Sequence, residues 1–113
     1  MTQQPQIDIA AEAQALLHKA HARPNGLAVN KLIDQPGQRV MAIALTEGSE
    51  LPRHDAPPAA CLHVLTGEVV LVAGDDRQPL QAGSLIQIPQ RSHHLEAVTD
   101  CFALLTVTTT QQG

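Results

Sequence analysis

The chain has 113 residues, room for one domain with a single core, and it holds one Phe, no Tyr and no Trp. Its core must therefore be aliphatic, tyrosine acid–base chemistry is excluded, and the aromatic platforms of single-stranded nucleic acid and RNA readers cannot be built. The formal net charge is −4 and the seven Lys and Arg are scattered, so there is no basic footprint for DNA.

No apolar run reaches the ~18–20 residues needed to span a bilayer, so no membrane is expected as a partner. The opening MTQQPQIDIA is polar and lacks the charged-then-apolar order of a signal peptide. A cytoplasmic location is the expectation, with Cys61 and Cys101 as reduced, buried thiols.

In chain order, Asp8 is a helix cap and Glu12 lies in the first turn behind it. Ile9, Ala13, Leu16, Leu17 and Ala20 recur at helical spacing. Lys19 and Arg23 lie near the far end, and Arg23-Pro24-Asn25-Gly26 stops the helix. His18 and His21 read as solvated helix residues. From Leu27 the period shortens. LAVNKLI and RVMAIAL flank the turn Asp34-Gln35-Pro36-Gly37, and Glu47-Gly48-Ser49 is a further turn. CLHVL and EVVLVA are joined by Thr66-Gly67, which predicts a tight hairpin. Gly74-Asp75-Asp76 turns the chain into RQPLQ, and SLIQIP, HLEAV and CFALLTVT follow. About eight short strands at this spacing predict an all-β sandwich or barrel. The expected division is a tail and helix over 1–26 and a barrel over 27–109.

Two glycine-punctuated blocks carry the functional signal. In the first, Gly48 is followed by five residues, His54-Asp55-Ala56, three residues, Ala60, six residues and Gly67. In the second, Gly83 is followed by five residues, Pro89-Gln90-Arg91, two residues, His94, three residues and Val98. Fifteen residues separate the blocks. These spacings resemble the two conserved motifs of the cupins. The stretches His54-Asp55-Ala56-Pro57, Val64-Leu65-Thr66-Gly67, Pro89 to His94 and Phe102-Ala103-Leu104-Leu105 are similar to those of small single-domain bacterial members of the RmlC-like cupin superfamily.

The resemblance implies a double-stranded β-helix, a cupin or jelly-roll barrel with one N-terminal helix. It also implies a metal site at the barrel centre, where this chain departs from the pattern. His54 and His94 stand at two ligand positions. Ala56 replaces the second His of the first motif and Ala60 its Glu; Arg91 and Val98 replace a Gly and an Asn. Two imidazoles fall short of the three protein ligands normal in catalytic zinc sites. His63 is a candidate third ligand, although alternation puts Cys61 and His63 on the face opposite Ala60, and His93 on the face opposite His94. A divalent ion (Zn, Fe, Mn or Ni) held by these histidines, or by His54 and His94 with waters, stands beside a metal-free cavity lined by His54, His94, Ala56 and Ala60.

Three functions remain open. One is a small-molecule-binding cupin without a complete metal site, in which Arg91 or Arg53 could meet a carboxylate at the mouth. Another is a metal-dependent dioxygenase or isomerase. The third is a structural or interaction protein that has lost its site. The nearly continuous apolar runs RVMAIAL, EVVLVA and CFALLTV imply cover on both faces of the sheets. One helix stripe covers only part, so a homodimer is expected.

Overall fold

The computed structural model describes residues 3–54 and 59–109, and His54 by its backbone alone. One helix, α1 (Ile9–His21), precedes the strands. They are β1 (Leu27–Gln35), β2 (Gln38–Leu45), β3 (Glu50–His54), β4 (Ala59–Thr66), β5 (Glu68–Ala73), β6 (Asp76–Gln81), β7 (Leu85–Gln87), β8 (His93–Ala97) and β9 (Cys101–Thr108). They form a five-stranded sheet in the order β1-β2-β9-β4-β7 and a four-stranded sheet in the order β3-β8-β5-β6. All pairings are antiparallel. This is the expected all-β double-stranded β-helix with one N-terminal helix.

The helix forms where its signals lie. The Asp8 carboxylate accepts from the Ala11 N–H at 3.1 Å, Glu12 sits in the first turn, and His18, Lys19 and His21 sit in the last. Both ends thus match the helix dipole. Leu16 and Ala20 pack on the outward residues Ala28, Ala42, Ala44 and Phe102 of the five-stranded sheet. Small residues on β1 and β2 let the helix approach the sheet closely. Phe102, the single aromatic residue, is fully buried beneath it. This explains the continuous apolar runs of β2 and β9, since each has one row between the sheets and one row under α1.

The inward rows make an aliphatic core between the sheets. Ile43 and Leu45 come from β2, Leu62 and Val64 from β4, Val69 and Leu71 from β5, Leu95 from β8 and Ala103 from β9. Truncating a fully buried member such as Leu62 to Ala costs about 2–5 kcal/mol. Cys101 belongs to this core, and burial pushes its thiol up to about 11. A thiol so placed is protonated and inert. Cys61 is half-buried.

Two elements differ from the sequence expectation. β3 has no apolar alternation and contains Pro52, yet it is a strand, because it is the edge of its sheet and an edge tolerates a missing donor. The pair Thr66-Gly67 does not close a hairpin. β4 pairs with β7 and β9, and β5 with β6 and β8. The turn instead carries the chain from one sheet to the other. Its amide is caught outside the ladder: Glu68 N–H donates to Thr99 Oγ1 at 3.0 Å. Gly67 has φ 80°, and a Cβ there would lie 2.1 Å from the Asp100 carbonyl oxygen.

Asp100 ties this end of the barrel together. Its carboxylate accepts from the Glu47 N–H at 2.8 Å and from His21 Nε2 at 2.7 Å. These two donors hold the Asp100 carboxyl below its ordinary value, the Glu47 amide most of all.

Gly67 and Gly48 make a controlled pair. Both have φ near 80° (80° and 82°), but a Cβ at Gly48 meets nothing within 4 Å. Gly48→Ala should lose only the left-handed penalty, about 1–2 kcal/mol. Gly67→Ala adds a collision with backbone and should lose clearly more in urea denaturation followed by far-UV circular dichroism. Equal losses would show that the turn at Gly67 has room to move.

Candidate functional site

Strand alternation decides which side chains can meet inside the barrel. On β4, Ala60, Leu62 and Val64 are buried in the core, while Cys61, His63 and Leu65 are on the opposite face and half-buried. On β8, His93, Leu95 and Ala97 are buried, and His94 and Glu96 alternate with them. Leu95 pairs with core Leu71, and Ala97 with core Val69. His93 shares their parity and points inward, at 3% exposure. Its Nδ1–H donates to the Arg91 carbonyl at 2.8 Å. That bond places the proton on Nδ1 in the neutral ring and gives Nε2 the lone pair.

His94 is therefore not in the barrel cavity, which corrects the expectation that it lines the cavity with Ala60. Counting from Pro89 selects His94, but the apolar residues two and four places after His93 select His93. Neither strand has an irregularity along Val69–Val72 to correct the count. His63 also faces away from the interior, opposite Leu85 and Leu104 on the outer face of the five-stranded sheet. A site combining His54, His63 and His94 would need ligands from opposite faces of two sheets. Ala56 lies outside the described residues, as does the His54 side chain. The His54 backbone is the cross-strand partner of His93, past an irregularity between Leu51 and His54.

Among the described residues, His93 is the one imidazole that β4 and β8 turn toward the core. Ala60 stands where a carboxylate would, Ala56 where an imidazole would, and His94 is on the other side of its sheet. The described interior residues thus fall short of the three protein ligands normal at a catalytic zinc ion.

The outward row of β8 makes a different constellation. His94 Nε2 lies 2.8 Å from Glu96 Oε2 and 3.9 Å from Glu50 Oε2. Arg77, the partner of Val72 on β6, reaches over and donates to Glu96 Oε1 at 2.7 Å. The guanidinium of Arg77 first, and then the His94 ring, hold the Glu96 carboxyl down to about 2. Glu50 and Glu96 carry no motif signal. Their shared face follows only from the β3–β8 register, in which they are direct partners.

A third feature is a cleft of about 420 Å³ between β6 and β7, the edge strands of the two sheets. Leu71, Ala73, Ile86 and Pro89 give it an apolar floor, and Gln78, Gln87, Asp76, Arg77 and Arg91 surround them with polar groups. Arg91 donates to the Asp76 carboxylate across the opening. Arg91 is one of the two arginines, with Arg53, that the sequence offers for the mouth of a cavity, and Arg53 does not line this cleft; the two glutamines carry no sequence signal.

Glu96 has a pH signature. Its folded pKa is depressed to about 2, so the pairing stabilises the fold above the ordinary carboxylate range and is lost as pH falls through that window. The stability difference between wild type and Glu96→Gln should be constant above about pH 5 and shrink toward pH 2. Glu96 is about a third exposed, so solvent screens the pairing and the difference should be modest. A difference that stays flat across that window would show that Arg77 does not hold Glu96 in solution.

No protein-family model matches the chain, and no curated protein does. Solved structures do. An RmlC-like cupin protein from Desulfovibrio desulfuricans has a TM-score of 0.67 at 26% identity, covering 73% of this chain and 81% of its own. A cupin superfamily protein from Desulfitobacterium hafniense has 0.71 at 15%, covering 78% and 82%. A salicylate 1,2-dioxygenase from Pseudaminobacter salicylatoxidans has 0.75 at 15%, covering 87% of this chain and 33% of its own. With the two antiparallel sheets and the single N-terminal helix, these likenesses establish that the chain has the RmlC-like cupin fold.

Proposed function

We propose that this chain is a small-molecule-binding cupin without a complete metal site in its barrel, and that the ligand enters the cleft between β6 and β7. The cleft is the observation that carries this reading. Its volume of about 420 Å³ lies in the range of small-molecule sites, and a few polar groups around an apolar floor are the usual means of fixing orientation. Arg91 selects the ligand class, a small carboxylic acid with an apolar body. Its present partner, Asp76, is largely exposed. Exposed ion pairs are worth only about 0–1 kcal/mol, so a ligand carboxylate can replace Asp76 on the guanidinium at little cost. Gln78 and Gln87 supply donors and acceptors to a second polar group. This reading supersedes the sequence-based cavity with His94.

A panel of small aliphatic and aromatic carboxylic acids, titrated against ¹⁵N-labelled protein, tests it. Amide shifts should cluster at Leu71, Ala73, Gln78, Ile86 and Gln87 for the acids that bind. Arg91→Gln should weaken those acids about tenfold or more, in keeping with a charge-assisted hydrogen bond. Shifts confined to other parts of the barrel, or an unchanged affinity in the variant, would remove the cleft from the function.

The same reading includes a homodimer. α1 packs against β1, β2 and β9, and Leu65 of β4 joins that cluster, while among the described residues Cys61 and His63 of β4 and Leu85 of β7 lie outside it. There, half-buried Cys61 and His63 lie beside Leu85, which is 68% exposed. A second copy would bury this row. Light scattering coupled to gel filtration should give twice the 12.0 kDa chain mass. A single-chain mass at micromolar concentrations would sink the dimer.

A further inference from the structure

We propose that Glu50, His94 and Glu96 form a divalent-cation site on the outer face of the four-stranded sheet. Their donor atoms all lie within 4.8 Å of one another. Metal–ligand bonds of about 2.0–2.2 Å put neighbouring donors roughly 3 Å apart. The 2.8 Å between His94 Nε2 and Glu96 Oε2 already has that spacing. Glu50 Oε2, at 3.9 Å, comes from a side chain that is 59% exposed, and a small rotation brings it in. His94 is only 16% exposed and packs beside Val72, its cross-strand partner, so its ring is held in place.

Charge and hydrogen bonding point the same way. Glu50 and Glu96 bring two negative charges to one imidazole, and Arg77 returns one positive charge. Arg77 binds Glu96 through Oε1, which leaves Oε2 facing His94 and fixes the carboxylate in the manner of an outer-shell partner. Carboxylates only accept, and a neutral imidazole offers one N–H from Nε2. That proton serves Glu96. The Glu50 carboxylate makes no hydrogen bond among the described residues, its nearest partner being His94 Nε2 at 3.9 Å. A cation in place of the Nε2 proton serves both carboxylates at once.

One imidazole with two carboxylates suits zinc, manganese or ferrous iron better than magnesium or calcium, which take all-oxygen shells. The ion would lie on the opposite side of the sheet from His93 and the core. Arg77 borders both this site and the cleft, but none of the three donors lines the cleft, so Arg91→Gln tests the cleft alone and Glu50→Gln this site alone.

The test uses tag-free, chelator-stripped full-length chain and Zn²⁺ alone. Calorimetry should give one ion per chain with micromolar affinity, unaffected by millimolar Mg²⁺. The ¹⁵N spectrum of the imidazoles should show His94 Nε2 moving to a metal-bound position. His94→Gln should abolish the binding, and Glu50→Gln, at an exposed position that leaves the fold intact, should weaken it by about tenfold or more. An unmoved His94 signal, or an unchanged affinity in Glu50→Gln, would overturn the proposal and reduce the cluster to an ion-pair network.

Discussion

The core row of β8 is the constraint on which the functional surfaces depend. Leu95 and Ala97 are held between the sheets by Leu71 and Val69. A strand has only two faces, so this fixes the other three residues of β8 as well. His93 goes into the barrel. His94 and Glu96 go to the outer face, where the β3 register delivers Glu50 and the β6 register delivers Arg77. A one-residue slip would exchange the two histidines and expel the leucine, at a cost of about 2 kcal/mol for that side chain alone. Interior and exterior chemistry on this sheet are thus set by the same hydrophobic contacts.

The five-stranded sheet is organised by a second layer. Its outer face carries Ala28, Ala42 and Ala44 with Phe102 among them, and α1 settles on that surface. The helix is held at both ends by polar contacts. Near its start, Asn30 donates to Glu12; at its far end, His21 meets Asp100, which also fixes the turn at Glu47. The scarcity of aromatic residues is offset by this close approach, which removes the part of the outer row under α1 from water with Phe102 as its one ring.

Much of this was legible in the residues themselves. Asp8, the heptad-like stripe and Pro24 specify α1, and the apolar runs locate eight of the strands. The alternation Ala60, Leu62, Val64 against Cys61, His63 correctly separates the faces of β4. The losses have physical causes. β3 shows no pattern because Glu50, Pro52 and Arg53 occupy an edge strand, where little is buried. Thr66-Gly67 resembles a hairpin turn locally, and only pairing with distant strands reveals a crossing between sheets. At His93-His94, a motif count and the strand parity disagree by one residue, and side-chain burial at Leu95 and Ala97 prevails. Glu50, Glu96 and Arg77 come from three strands, so nothing in their linear spacing announces the cluster.

The position of β9 in its sheet has a consequence for how the chain assembles. It lies between β2 and β4, paired to both along their lengths. Residues 101–108 follow the end of β2 by more than fifty positions, so β2 and β4 have no common neighbour until those residues arrive. At about 5–20 residues per second, ribosomal synthesis leaves them waiting for several seconds. During that interval the hairpin of β1 and β2 presents an unpaired, alanine-rich edge, the kind of surface on which foreign strands add. Closure by β9 is a single non-local event, and such pairings are intrinsically slow. The nascent protein should therefore stay aggregation-prone at this edge until β9 pairs with both strands.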